Sequence, residues 1–245
     1  MKKRIISLLM VIVLSVAAII GLASCGEDNS VHEKYSAYSF VYDSALGGLV
    51  INLERPQDLN YTATIIIPES SYYWADSEGG NQADHAEAKA VVAIKSEAFK
   101  NDVSIVSMIL PTYLKKIGAG AFEGCTSLKA VSISSDITEI GDDAFSGCGE
   151  LRTFTLSELA GDKKSAVKTI GRNAFNSCLK LYLMDFEFAA QSTIGEKAFY
   201  YDANLPNLDL SNVSYVGSRA FAGYNPSKTI KTPSSTSAWA VDWKG

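Results

Sequence analysis

The chain has 245 residues, of which 47% are hydrophobic and 20% charged, so it can bury a sizeable core and is not a solvated, disordered polymer. Its formal charge is −5, with 22 basic against 27 acidic residues, and no stretch is polybasic. Such a balance excludes nucleic acid as a partner, because the phosphates would be repelled.

In chain order, the first element is a targeting segment. Lys2, Lys3 and Arg4 precede an uncharged, mostly apolar run from Ile5 to Ala23, the layout of a secretory signal peptide. Leu22-Ala23-Ser24-Cys25 follows directly and resembles the lipobox of bacterial lipoproteins. The resemblance implies cleavage before Cys25, a lipid on that cysteine, and a body anchored to the outer membrane rather than spanning it. Residues 1–24 are then the signal and 25–36 a lipidated tether. Glu27 and Asp28 partly match the acidic export signal of some surface lipoproteins, which favours the cell surface. Loss of the signal takes the charge to −8.

Residues 37–93 form the next unit. Tyr38 to Tyr42, Leu49 to Leu53 and Ala63 to Pro68 are rich in β-formers and separated by turn residues, so they read as strands of an N-terminal cap. The polar stretch 71–90 is expected to loop out before a strand that reaches Ile94.

From Ile94 to Pro233 the sequence repeats. Units open at Ile94, Ile117, Ile140, Ile170, Ile194 and Val216, with spacings of 23, 23, 30, 24 and 22 residues. All but the first carry glycine next: Gly118, Gly141, Gly171, Gly195 and Gly217, with Lys95 as the exception. That glycine calls for positive φ or close backbone approach. An Ala-Phe pair recurs at Phe99, Phe122, Phe145, Phe175, Phe199 and Phe221, and three units then place Cys125, Cys148 and Cys178 at one position. The three-to-four spacing of these apolar positions predicts a short helical turn. A strand rhythm follows, as in Leu128, Val131 and Ile133. No unit encloses its own apolar face, so stacking must build a continuous core from the six phenylalanines and three cysteines.

The unit I-G-x-x-A-F-x-x-C-x-x-L-x-x-V-x-I resembles the BspA-type leucine-rich repeat of bacterial surface proteins. The resemblance implies a leucine-rich-repeat solenoid, with a β-strand and a short helical turn per rung, capped by the β-rich segment 37–93. Rungs occupy 94–233, and 234–245 is a C-terminal cap in which Trp239 and Trp243 plug the last rung. The sixth unit is degraded, with Ser227 and Thr232 at apolar positions, as suits a terminal rung.

Residues for catalysis are scarce. The two histidines, His32 and His85, have no neighbouring cysteine or second histidine, so zinc spacing is absent and a nucleophile–base pair is not indicated. Gly47-Gly48 and Gly79-Gly80 lack the following Lys-Ser/Thr of a phosphate loop. No enzyme activity, cofactor or metal is expected. The cysteines fit buried small hydrophobes better than a metal ladder, because Asp102, Asp202 and Tyr224 take their place in other units; a Cys125–Cys148 disulfide is the lesser alternative.

A binding role is what remains. The strand face is the family's usual contact surface, and alternation turns Ser132, Thr155, Asp185 and Asp209 outward, with Lys129, Arg152, Tyr182 and Asn207 at strand starts. Asp185, Glu187 and Asp209 would share adjacent rungs. By resemblance the chain is an adhesin-like monomer that engages a host or bacterial surface protein or glycan. A periplasm-facing scaffold, or a polysaccharide-capturing lipoprotein, is the alternative. The longer third unit, through 158–165, is either a gripping finger or a cheap loop insertion.

Overall fold

A computed structural model describes residues 39–43, 45–46, 48–52, 64–67, 70–74, 86–156, 166–236 and 238–245. The signal segment, Cys25, the tether and the 158–165 insertion lie outside the described residues. Rungs are numbered one to six by their opening residues, Ile94, Ile117, Ile140, Ile170, Ile194 and Val216, and positions within a rung are counted from that residue.

Every rung supplies a strand to one parallel sheet, and rungs one to four supply one to a second. The first sheet holds the strands that run into the openers: Ala86–Ile94, Lys116–Ile117, Glu139–Ile140, Ala166–Ile170, Glu187–Ile194 and Val213–Val216. The second holds Ser107–Ile109, Ala130–Ile133, Thr153–Leu156 and Leu183–Met184. In-register pairing aligns like with like: Met108, Val131, Phe154 and Met184 form one ladder. Of these, Met108, Val131 and Phe154 are buried. Period-two alternation therefore keeps one face of the second sheet in the core on successive rungs.

The cap extends the same lattice. Gly48–Asn52 pairs parallel with Ala86–Ile94, and Thr64–Ile66 pairs parallel with Ser107–Ile109. Residues 48–66 thus supply one strand to each sheet ahead of rung one. The expectation that 71–90 loops out is corrected. Ser70–Trp74 is a strand paired antiparallel with Ala86–Ile94, since the Tyr72-Tyr73-Trp74 run is a strong β-former despite its polar surroundings.

The arc between the sheets also departs from expectation. No helix occurs among the described residues; positions two to nine form consecutive turns. Two residues of each arc take positive φ, at positions four and eight: Glu97 and Asn101, Gly120 and Gly124, Asp143 and Gly147, Asn173 and Ser177, Lys197 and Tyr201, Arg219 and Gly223. These reversals turn alternate N–H groups along the solenoid axis. The Phe122 N–H donates to the Ala144 carbonyl of the next rung (2.7 Å), while the Ala121 and Glu123 N–H groups close turns within their own rung. A helix would keep all of them inside the segment.

The recurrent position-two glycine serves close approach. A Cβ on Gly118 would sit 2.4 Å from Ser96 N, and one on Gly195 would sit 2.5 Å from Arg172 N. Lys95 takes this position in rung one, is exposed, and its N–H donates to the Ile51 carbonyl of the cap strand.

Inside the arc the six phenylalanines form one stack. Successive centroids are 4.9, 5.0, 5.3, 5.2 and 5.2 Å apart with interplanar angles of 13° or less. That spacing is close to the strand repeat, so the backbone lattice dictates the ring contact. Phe122, Phe145 and Phe175 are wholly buried, each contributing about 1.5–3 kcal/mol through apolar transfer. The cysteines run beside them. The thiols of Cys125, Cys148 and Cys178 donate to the carbonyls of Phe99, Phe122 and Phe145 one rung back, at 3.0, 3.1 and 3.2 Å. Each stays a buried thiol, and no disulfide joins them. Burial pushes the Cys148 and Cys178 thiols well above the ordinary range.

The tail forms a partial seventh rung. Ala240 N–H donates to Val216, while Trp243 and Asp242 carbonyls accept from Phe221 and Arg219. Trp243 meets Phe221 edge-on at 5.9 Å and Trp239 at 5.0 Å. Trp243 takes the acceptor role that alanine plays on the rungs before it.

Candidate partner-binding face

The outer surface of the second sheet is built from columns, one residue per rung. At position thirteen, Lys129 N–H donates to Val106, Arg152 to Lys129, and Tyr182 to Arg152. These backbone bonds hold three long side chains at strand spacing, all exposed. One column inward lie Ser107, Ala130, Thr153 and Leu183. Ile109, Ser132 and Thr155 form the next outward column.

The predicted residues divide between this face and other places. Lys129, Arg152 and Tyr182 share a column, and Ser132 and Thr155 are neighbours in the next. Asp185 is exposed just past its strand, and its N–H donates to Phe154. Asn207 is displaced by one column: Pro206 holds position thirteen, and the Asn207 side-chain oxygen accepts from Thr229 N–H at 2.9 Å. Glu187 belongs to the first sheet, opposite Ala166, because rung four turns its corner early and starts the long strand to Ile194. Asp209 sits in a separate two-stranded sheet and pairs with Lys231 at 2.9 Å. The three acids expected together are therefore apart.

Two residues not singled out by sequence, Leu179 and Leu183, complete the face beside Tyr182. Leu179, Tyr182 and Leu183 are 53%, 54% and 42% exposed, placing three large apolar groups on one rung. Alternation from Met184 could have flagged Leu183; Leu179 lies in a turn, where no period applies. Lys180 and Arg152 both approach Glu150, Arg152 at 3.8 Å. The Lys180 hydrogen bond chiefly holds the Glu150 carboxyl below its usual range, helped by the charges of Arg152 and Lys129. Three cations thus converge on one carboxylate and leave the patch positive within an acidic chain. Asp209 falls to about 2, through hydrogen bonds from Ser211 and Lys231.

The arrangement presents side chains from a hydrogen-bonded backbone lattice. Among the described residues no three His, Cys, Asp or Glu side chains converge as metal ligands.

The stacked rungs, the in-register sheets and the outward columns define a leucine-rich-repeat solenoid. A family model for the BspA type leucine rich repeat region matches residues 92–187 and 162–240 in six copies, and the chain belongs to that family. The crystal structure of a T. pallidum leucine rich repeat protein is similar at 20% identity, with a TM-score of 0.58, over 82% of this chain and 81% of that one. The pneumococcal vaccine antigen PcpA is similar at 18% identity and a TM-score of 0.51, over 80% of this chain and 46% of its own. A leucine rich cell surface protein from Faecalibacterium prausnitzii shares 23% identity, with a TM-score of 0.48, over 80% of this chain and 53% of that one. No curated protein matches the sequence.

Proposed function

We propose that this chain is an exported, lipid-anchored surface protein that binds a protein partner through the second-sheet face of rungs two to four. The observation that carries the reading is the placement of Arg152 and Lys129 in one column with exposed Tyr182, beside exposed Leu183 on the sheet and Leu179 in the turn before it. Aromatic residues and arginine dominate binding energy at protein interfaces, and clustered exposed apolar groups mark such sites. A glycan platform would need more aromatic faces than Tyr182 alone provides here. Lipid attachment at Cys25 is supported by the lipobox-like Leu22-Ala23-Ser24-Cys25 after the apolar run. The family membership and the description of PcpA as a vaccine antigen agree with display outside the cell.

The test is capture of host matrix and bacterial surface proteins by the purified mature chain, compared with a variant carrying Arg152→Ala, Tyr182→Ala and Leu183→Ser. Loss of capture by a normally folded variant is expected. Binding to glycans and no protein, or capture unaffected by the three changes, would overturn the reading. Protease shaving of intact cells tests the facing: release of rung peptides supports display, and protection until the outer membrane is opened sinks it.

A further inference from the structure

Next to the last thiol of the ladder stands a buried carboxyl. Position nine of rung five is Asp202, fully buried, and neither carboxyl oxygen has a hydrogen-bond partner among the protein groups. The three cysteines at this position each donate to the phenylalanine carbonyl one rung back. A neutral carboxyl has a proton to offer in that setting. A carboxylate has none, and would carry an unpaired charge into the core.

A second, independent feature falls on the same boundary. Lys129, Arg152 and Tyr182 tie their rungs to the one before through the N–H at position thirteen. Rung five has Pro206 there, and proline has no N–H to give. The second sheet accordingly stops at Leu183–Met184, and Leu208–Asp209 pairs only with Ile230–Lys231. The first sheet and the ring stack run on without a break, through Ile170 beside Ile194 and Phe175 over Phe199. Rungs four and five are therefore joined along two sides, while along the third no sheet pairing joins them and the Asn204 side-chain amide donates to the Leu179 carbonyl at 2.6 Å.

We propose that this boundary is a pH-gated joint: ionisation of Asp202 lets rungs five and six swing away from rung four on the second-sheet side, and protonation closes them.

Cys178 from rung four is the titratable group that interacts with Asp202, and Tyr224 holds the same position of rung six. The Tyr224 phenol donates to the Pro206 carbonyl at 2.7 Å. Burial raises both of these groups, so they stay neutral around neutral pH. No cation contributes at Asp202, and burial pushes its carboxyl well above the ordinary 3.8. The sign follows. Below that ordinary value both closed and open forms are protonated and the joint is shut. As pH rises the open form alone ionises, and opening grows up to tenfold per pH unit until the buried carboxyl itself titrates.

Cys178 is a built-in reporter, since it lies between Phe145 of rung three and Asp202. The experiment labels the whole chain with a pyridyl disulfide, which reacts with thiols in acid as well as at neutral pH. Modification at each cysteine is read by mass spectrometry, and each rate is divided by that of the urea-unfolded chain at the same pH. The expected result is a corrected Cys178 rate that climbs severalfold or more from pH 4 to 8 while Cys125 and Cys148 stay flat. Asp202→Asn, and separately Asp202→Cys, which restores the ladder's usual residue, should flatten the Cys178 profile. The joint is refuted if Cys178 stays as protected as Cys148 throughout, if all three cysteines rise together, or if the climb persists without Asp202.

Discussion

A Cβ placed on Gly171 would lie 2.4 Å from the backbone nitrogen of Asp142, and 2.5 Å from the Asp142 carboxylate oxygen that accepts the Arg172 N–H. The glycine is what lets one rung settle onto the next. Gly171→Ala must push two backbones apart, and we expect a loss of about 2–3 kcal/mol, the scale of overpacking in a close-packed core. Gly120→Asn should be nearly neutral, because position four has φ near +60 on every rung and Asn173 already occupies it. Urea midpoints of the two variants, measured side by side, check the contrast; equal effects would contradict it.

Phe145 is fully buried, stacked between Phe122 and Phe175 and touched edge-on by Phe154. Phe145→Ala opens a cavity in the middle of the stack and should cost about 3–5 kcal/mol. Chemical denaturation with far-ultraviolet circular dichroism reads this directly. A loss under about 1 kcal/mol would mean that the neighbouring rungs collapse into the gap.

Trp243→Ala removes the edge contact to Phe221 and half of the Trp239–Trp243 pair. The side chain is only partly buried, so the expected cost is about 2 kcal/mol, below that of a core aromatic. Hydrogen exchange should rise first at Phe221 and Arg219, whose N–H groups donate to the tail. Uniform loss of protection across all rungs would argue that the tail is not a local cap.

Two aspartates should shape the pH profile in opposite directions. Asp209 is held down from 3.8 to about 2, so its contribution is present above 3.8 and lost as pH falls towards 2. Its side chain is 59% exposed, so screening keeps this below about 1 kcal/mol. Asp202 is pushed up, so its neutral form is at no disadvantage below 3.8, and stability falls by about 1.4 kcal/mol for each pH unit above that until the buried group ionises. Asp202→Asn should therefore raise the melting temperature at pH 7 and leave it unchanged near pH 3.5. A variant with the same offset at both pH values would contradict the sign.

Much of the site was readable because strand alternation is local. Lys129, Arg152, Tyr182, Ser132 and Thr155 follow from counting along each unit. Asn207, Glu187 and Asp209 did not come out as neighbours of that group. Pro206 removes a donor from the ladder, and rung four begins its next strand at Glu187, so an even count fails after Met184. The arc was read as helical because its apolar spacing is three to four. The spacing is right, but the residues at positions four and eight reverse the chain, and many of them, such as Lys197 and Tyr201, are not types that announce positive φ.

By itself the sequence determined the period, the residues of the core and the order of rungs, since a repeating apolar pattern has one economical way to bury itself. Tertiary structure alone decided what passes between rungs. The position-two glycines are needed for the backbone of a neighbour 2.4–2.7 Å away, the cysteine thiols for a carbonyl one rung back, and the tail for an acceptor to the last phenylalanine. Those partners lie some twenty to thirty residues away in the chain. Pattern along the chain cannot report them, because each is set by how two rungs meet in space.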